Sequence, residues 1–193
     1  MAAFDGITSP AVTVQFLKSG TFVTVDTADV ISINIRRGRT RQNERDKCGT
    51  SFVILNNTSG IYDPDSTNPA NPWVVGGVSI LRDGLDMRIV ATIGGVSYNL
   101  YYGFLETTRV DQGEAPAVTM TFVDGIAYIA DAQAPALAVA ANAETAATRV
   151  GRMLDIVQWP SGASRSLTGT VGMLATVQNQ SCMAMIYQAV DSI

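Results

Sequence analysis

Short segments in which every second residue is apolar dominate the first 123 residues of the chain. Because successive side chains of a β-strand point to opposite faces of a sheet, this period predicts strands with one buried face. The alternating sets are Val12, Val14 and Phe16; Val23 and Val25; Ile31, Ile33 and Ile35; Met87, Ile89, Ala91 and Ile93; Val96, Tyr98, Leu100, Tyr102 and Phe104; and Val118, Met120 and Phe122. No helical pattern separates them, so we expect an antiparallel β-barrel or sandwich.

Two further features refine this prediction. The Gly94-Gly95 pair between two alternating runs is a signal for a two-residue hairpin turn. Phe52 and Ile54 alternate with Val53 and Leu55, which predicts a strand buried on both faces. A long stretch from about residue 56 to 85 carries prolines and turn residues instead of a periodic pattern. Loops of that length commonly have a function, and we expect this one to pack against another chain.

After Asp124 the apolar period changes to that of short helices. Asp124 and Asn142 are candidate helix caps. We expect one apolar stripe of Ala147, Val150, Leu154 and Val157, and another of Met183, Ile186, Tyr187 and Val190. The fold class is therefore mainly β with α additions, with a β domain over residues 1–135 and a helical segment over 136–193. Because the last stripe has nothing after it to pack against, we expect 136–193 to begin a second domain of a longer polypeptide.

Composition excludes several functional classes. The chain has no histidine, which removes Ser-His-Asp and Cys-His catalysis and all His-containing metal sites. The two cysteines, Cys48 and Cys182, are expected to be free thiols. We therefore expect a non-enzymatic protein with no catalytic residue, cofactor or metal. No uninterrupted run of about 18 apolar residues exists, so no membrane-spanning segment is expected.

A basic segment is the most distinctive local feature. Its cations are Arg36, Arg37, Arg39, Arg41, Arg45 and Lys47. Clustered guanidinium groups can bind phosphate, but Glu44 and Asp46 interleave with them, and no aromatic residue offers a stacking platform. The net charge of −4 also disfavours a nucleic-acid binder. An ion-paired segment at a subunit boundary is the favoured interpretation, ahead of a solvated loop or a nucleic-acid contact.

The run DVISINIRRGRTRQNERDKCGTSFVILNNTSGIYDP, residues 29–64, resembles a pattern in minor tail and baseplate hub proteins of tailed bacteriophages. The matching elements are Arg37-Gly38-Arg39, a charged linker, Gly49-Thr50 and Asp63-Pro64. Residues 87–110 resemble the next hairpin of that family, including Gly94-Gly95 and Gly103. Residues 179–192 resemble the helix that opens a second tube-like domain in hub proteins.

This resemblance implies a tail-tube-like β domain that forms a ring around the tail channel. It favours the baseplate hub, as a trimer, over a distal tail or other minor tail ring, as a hexamer. The implied partners are further copies of the chain, adjacent tail-tip and tail-tube proteins and the tape-measure protein, with DNA only in transit. The implied location is the virion tail tip, assembled in the host cytoplasm. The suspected subunit-interface residues are Arg37, Arg39, Arg41, Arg45 and Asp63. A carbohydrate-binding β-module is the remote alternative.

The interface interpretation makes a testable prediction for the basic segment. Breaking a buried ion pair costs about 3–5 kcal/mol, whereas an exposed pair contributes about 0–1 kcal/mol. If the segment is buried between chains, replacing Arg39 and Arg41 by alanine reduces the yield of assembled virions. A normal virion yield from the double variant would contradict the interface.

Overall fold

A computed structural model describes residues 9–36, 48–132, 144–157, 167, 170, 172–173 and 181–190. The chain divides into two compact units, Met1–Asp124 and Gly125–Ile193. The domain boundary predicted after residue 135 lies outside the described residues. The described elements are mostly antiparallel strands with a few short helices, which confirms the predicted fold class.

One sheet organises the first unit. Its strands are β1 (Ala11–Lys18), β2 (Thr21–Thr24), β3 (Val30–Arg36), β4 (Thr50–Asn56), β7 (Asp86–Ile93), β8 (Val96–Asp111) and β9 (Ala117–Val123). They pair in the order β2-β1-β7-β8-β9-β4-β3, and every pairing is antiparallel. Two short strands, β5 (Val74–Val75) and β6 (Val78–Ser79), form a separate hairpin between β4 and β7.

The large sheet is strongly curled around a single core. The rings of Phe16 on β1 and Phe122 on β9 are stacked with their centroids 6.1 Å apart. Two strands, β7 and β8, separate β1 from β9 in the sheet. In a flat sheet the three strand spacings would add to about 14 Å, since neighbouring strands lie about 4.8 Å apart. The inner face is therefore concave, and β2 and β3 are its two edges.

Two bulges in β8 reverse which side chains face the core. The register with β7 skips Leu100 between the pairs at Ile89 and Val90, and the register with β9 skips Glu106 between Leu105 and Thr107. Each extra residue moves the side chains that follow it to the opposite face of the sheet, because side chains alternate between the two faces along a strand. Tyr101 and Leu105 are consequently buried. Because of these bulges, the prediction that Tyr102 and Phe104 lie on the same face of the strand as Val96 and Tyr98 is wrong.

Two other strands also depart from the predicted pattern. A bulge after Val30 shifts the register of β3, and Ile31 is 59% exposed instead of sharing a buried face with Ile33 and Ile35. On β4 only one face is buried, that of Val53 and Leu55, while Phe52 is 37% exposed. The prediction that β4 is buried on both faces is therefore wrong within the isolated chain, because no second layer covers Phe52.

The stretch between β4 and β7 completes the core. Tyr62, Trp73, Leu81 and Leu85 are buried in the same cluster as the inner residues of the sheet. The Trp73 ring meets the Phe16 ring edge-on at 5.3 Å. The largest side chains of this stretch therefore pack in the chain's own core. Its predicted contact with another chain would have to use its exposed residues, such as Val75 and Val78.

The second unit contains short helices and one small strand pair. Its elements are α1 (Gly125–Asp131), β10 (Glu144–Thr145), α2 (Ala146–Ile156), β11 (Gly172–Met173) and α3 (Cys182–Val190). Thr145 caps α2 by accepting the amide of Thr148, and Ser181 accepts the amide of Ala184 at the start of α3. Asn142, the predicted cap, lies outside the described residues.

The buried stripes of α2 and α3 are each displaced by one residue from the prediction. The buried residues are Ala146, Arg149 and Met153 on α2, and Cys182, Met185 and Ala189 on α3. Small or polarizable side chains thus occupy the contact face, whereas the periodicity favoured the more hydrophobic neighbours. Val190, assigned to the α3 stripe, is exposed.

A buried ion pair fixes the start of α2. The Glu144 carboxylate contacts Arg149 Nε at 2.7 Å and Arg152 Nη2 at 2.6 Å through the same oxygen, Oε1. Arg149 is almost fully buried. Because an unpaired buried charge is costly, Glu144 on β10 is held against α2.

Buried tyrosines give the first unit a predicted alkaline sensitivity. Burial, followed by its hydrogen bond to Asp29, raises the pKa of Tyr62. The folded state therefore keeps this phenol protonated at pH values where the unfolded chain ionises it, which begins near pH 10. Below that pH the stabilisation is complete, and above it the free energy of unfolding falls by up to about 1.4 kcal/mol per pH unit per tyrosine.

Replacing Tyr62 by phenylalanine removes one such group. We expect the unfolding free energy of wild type to fall faster than that of Tyr62→Phe above pH 10, with a constant difference between pH 7 and 9. Denaturant unfolding across this range measures both curves. Parallel curves above pH 10 would contradict the prediction.

Candidate subunit interface

The structure describes one of the five suspected interface residues. Arg37, Arg39, Arg41 and Arg45 lie outside the described residues. Asp63 is half-buried, and its carboxylate accepts the backbone N–H of Asp65 at 2.9 Å. This is a local turn contact of the kind that Asp side chains commonly make. The predicted pairing of the arginines with acidic groups of a neighbour stays a prediction.

The two flanks of the basic segment are neighbours in the sheet. β3 ends at Arg36 and β4 begins at Thr50, and these two residues are paired across the ladder. The segment therefore connects adjacent antiparallel strands at one end of the sheet. Since β3 is an edge strand, this connection leaves from a free margin of the sheet.

A compact cluster fixes the return of the segment into β4. The Gly49 amide donates to Asp124 Oδ2 at 2.7 Å, and the Asp124 amide donates to the Gly49 carbonyl at 2.9 Å. A Cβ atom on Gly49 would lie 2.6 Å from Asp124 Oδ2, so only glycine fits. The sequence analysis identified Gly49 as part of a motif and Asp124 as a candidate helix cap. It did not predict their mutual hydrogen bonds, because the two residues lie 75 positions apart in the chain.

Tyr101 lies over the same cluster. Its hydroxyl is within donating distance of the Gly49 carbonyl at 3.2 Å and the Phe122 carbonyl at 3.1 Å. Burial, followed by the charge of Asp124, raises the pKa of Tyr101 and keeps the donor proton in place. The Tyr101 ring also covers Gly103, where a Cβ atom would lie 2.7 Å from Tyr101 Cε1 and 2.5 Å from the Val123 carbonyl.

An apolar groove opens beside the edge strand β3. It is lined by Val12, Val30, Ile31, Ser32, Ile33, Ile35, Ile89 and Leu100, and its volume is about 470 Å³. The lining comes from β1, β3, β7 and β8, so the groove exists only because the sheet curls. None of these described lining residues is charged. Val12, predicted to be buried with Val14 and Phe16, is exposed here.

Two hairpin ends expose apolar side chains. The β7–β8 turn, Gly94-Gly95, has positive φ at both residues, as the hairpin signal required. Beside it Val96 is 53% exposed and Tyr98 is 52% exposed. The β5–β6 turn has the same form at Gly76-Gly77, and Val78 beside it is 45% exposed. Clustered exposed apolar side chains are typical of interaction surfaces.

The outer face of the sheet carries an ordered polar and aromatic group. Arg88 lies over the Phe22 ring, with Cζ 4.2 Å from the ring centroid, and its Nε donates to Gln15 Oε1 at 2.6 Å. Tyr102 donates a hydrogen bond to Asp86 and meets the Phe22 ring edge-on. These contacts tie the short edge strand β2 to β1, β7 and β8.

The three tyrosines Tyr98, Tyr101 and Tyr102, which could together form a platform for stacking a sugar, do not share a surface. Tyr101 is buried, and the β8 bulge places Tyr98 and Tyr102 on opposite faces of the sheet. Among the described residues, no three His, Cys, Asp or Glu side chains group closely enough to hold a metal ion. Within that same part of the chain, no helix has the length and apolarity to cross a membrane.

The fold is one found in solved phage tail proteins. Over 94% of its length the chain is similar to the 43 kDa tail protein of prophage MuSo2 from Shewanella oneidensis, with 10% identity and a TM-score of 0.52. It is similar over 94% of its length to the tail protein from Neisseria meningitidis MC58, with 9% identity and a TM-score of 0.53.

The chain spans 50% of the first of these structures and 45% of the second, about half of each. No protein-family model matches the chain. No curated protein matches it either. The similarity therefore establishes a shared fold with the two tail proteins.

The Tyr101 cluster predicts a stability effect at Gly103. Gly103→Ala forces a methyl group against the Val123 carbonyl and the Tyr101 ring, and overpacking of this kind costs about 1–3 kcal/mol. Gly113→Ala is the matched control, because its nearest contact would be the Asp111 side chain at 3.4 Å. Denaturant unfolding should show a clear loss for Gly103→Ala only. Equal stability of the two variants would contradict this account.

Proposed function

We propose that this protein is a structural subunit of a phage tail that forms a ring around the tail channel, as part of the baseplate hub at the tail tip. The observation that carries the proposal is the similarity to two phage tail proteins over 94% of the chain. The sequence resemblance of residues 29–64 to minor tail and hub proteins supports it independently. We further propose that the role is structural and not enzymatic.

The topology of the sheet is suited to assembly. A single curled sheet ends in β2 on one side and β3 on the other. Edge strands present unpaired backbone groups, and natural proteins cover them or use them for pairing. A contact that joins different surfaces of identical copies is heterologous, and such contacts close into rings when the rotation permits. Two different free margins on one subunit support this mode of assembly.

Within the tail tip, we propose the baseplate hub in preference to a distal tail or other minor tail ring. The reason is the resemblance of residues 179–192 to the helix that opens the second tube-like domain in hub proteins. A hub ring would be a trimer, and a distal tail ring a hexamer. The proposed neighbours are tail-tube, tail-tip and tape-measure proteins, with DNA passing through the ring.

The proposal predicts both a location and a requirement. In particles of the phage or prophage that encodes the chain, antibody labelling should place it at the tail tip. Deleting its gene should leave particles without functional tails, and supplying the chain from a plasmid should restore them. Image averages of purified tips distinguish threefold from sixfold order. Absence of the chain from purified particles, or intact tails in the deletion strain, would contradict the proposal.

A further inference from the structure

The groove beside β3 presents an apolar surface. The described residues that line it are seven with apolar side chains and one serine. Ile31, at its margin, is turned outward by the β3 bulge and is mostly exposed. Its volume of about 470 Å³ is within the range of about 300–1,000 Å³ found for binding clefts. An occupant must be uncharged, because burying an unpaired charge there would be costly.

The β7–β8 hairpin end has the matching chemistry. No charged residue lies between Arg88 and Glu106, although the outer half of this hairpin is exposed. β1 pairs with β7 only as far as Thr92, and β9 pairs with β8 only from Phe104 onward. The hairpin therefore extends well beyond its last pair with β9 but only from Ile93 beyond its last pair with β1, and its end carries Val96 and Tyr98.

The hairpin end cannot occupy the groove of its own chain. Ile89 and Leu100, which line the groove, belong to the base of the same hairpin. Ile89 is five positions from Gly94, so at about 3.3 Å per residue the Gly94-Gly95 turn lies about 16 Å from Ile89 along the strand. A paired hairpin is too stiff to fold back over that distance. The β5–β6 hairpin is a poorer occupant, because its strands have only two residues each.

We propose that the β7–β8 hairpin end of one copy docks in the β3 groove of the next copy. Both surfaces are apolar, and none of the described residues that form them is charged, so their union buries no ionised group from among these residues. Each subunit offers one end and one groove, which makes the contact heterologous and able to close a ring. The inference rests on the proposed assembly into a ring, and it assigns the contact that holds neighbouring subunits together.

Two variants, each blocked on one side, test the docking. Val96→Asp places a charge on the hairpin end, and Ile31→Asp places one at the groove margin. Each variant alone should weaken self-association by about 30-fold or more, the scale of losing a binding hot spot. Val190→Asp, a comparable change at an exposed valine of α3 that belongs to neither surface, should associate like wild type. Sedimentation velocity over a concentration series measures all four chains.

Mixing the two blocked variants gives the sharpest result. Ile31→Asp keeps a functional hairpin end and Val96→Asp keeps a functional groove, so an equimolar mixture should form a dimer and nothing larger. Blocked variants that assemble like wild type, a mixture that remains monomeric, or a monomeric wild-type chain would each overturn the docking. Circular dichroism and thermal unfolding verify that the variants are folded. Tyr98→Ser and Ser32→Asp replace either variant that is not folded.

The docking and the tail function can fail separately. If the chain is present at the tail tip of virions but the blocked variants are incorporated as efficiently as wild type, the docking is wrong and the tail function stands. If the blocked mixture forms the expected dimer but the chain is absent from virions, the docking stands and the tail function is wrong.

Discussion

The curl of the seven-stranded sheet is the constraint on which the rest of the first unit depends. A flat sheet of these strands would leave the inner rings of Phe16 and Phe122 too far apart to stack. The two bulges in β8 bend the longest strand and increase its twist, which brings β1 and β9 together across a common core. The same curvature leaves β2 and β3 as free margins and opens the groove beside β3. Core packing and the exposed surfaces thus have one geometric origin.

The positions of the strands could largely be predicted from the sequence, but which of their side chains face the core could not. Alternation placed the buried Val118, Met120 and Phe122 correctly, and Gly94-Gly95 correctly predicted a hairpin. Bulges make this prediction fail, because one extra residue moves every later side chain of the strand to the other face of the sheet. The local composition does not reveal where a bulge occurs. The helix stripes were predicted one position too late, so Cys182 and Met185 are buried where Met183 and Ile186 were expected.

The candidate interface was predicted only in part. The clustered charges of the basic segment predicted an interface, and the resemblance to tail proteins implied a ring. The groove and the hairpin end were missed, because their residues come from strands distant in sequence and gather only in the curled sheet. An exposed Ile31 is indistinguishable from a buried one until a bulge is known. The distribution of charge was the one available signal, since no charged residue lies between Arg88 and Glu106.

The reciprocal contact between Gly49 and Asp124 has a consequence for how such proteins diversify. Together with the Arg36–Thr50 pair, it ties the chain to the sheet on both sides of residues 37–47. None of these contacts uses a group from 37–47. A related sequence can therefore differ throughout 37–47 and still keep the contacts that join β3 to β4 and β4 to Asp124.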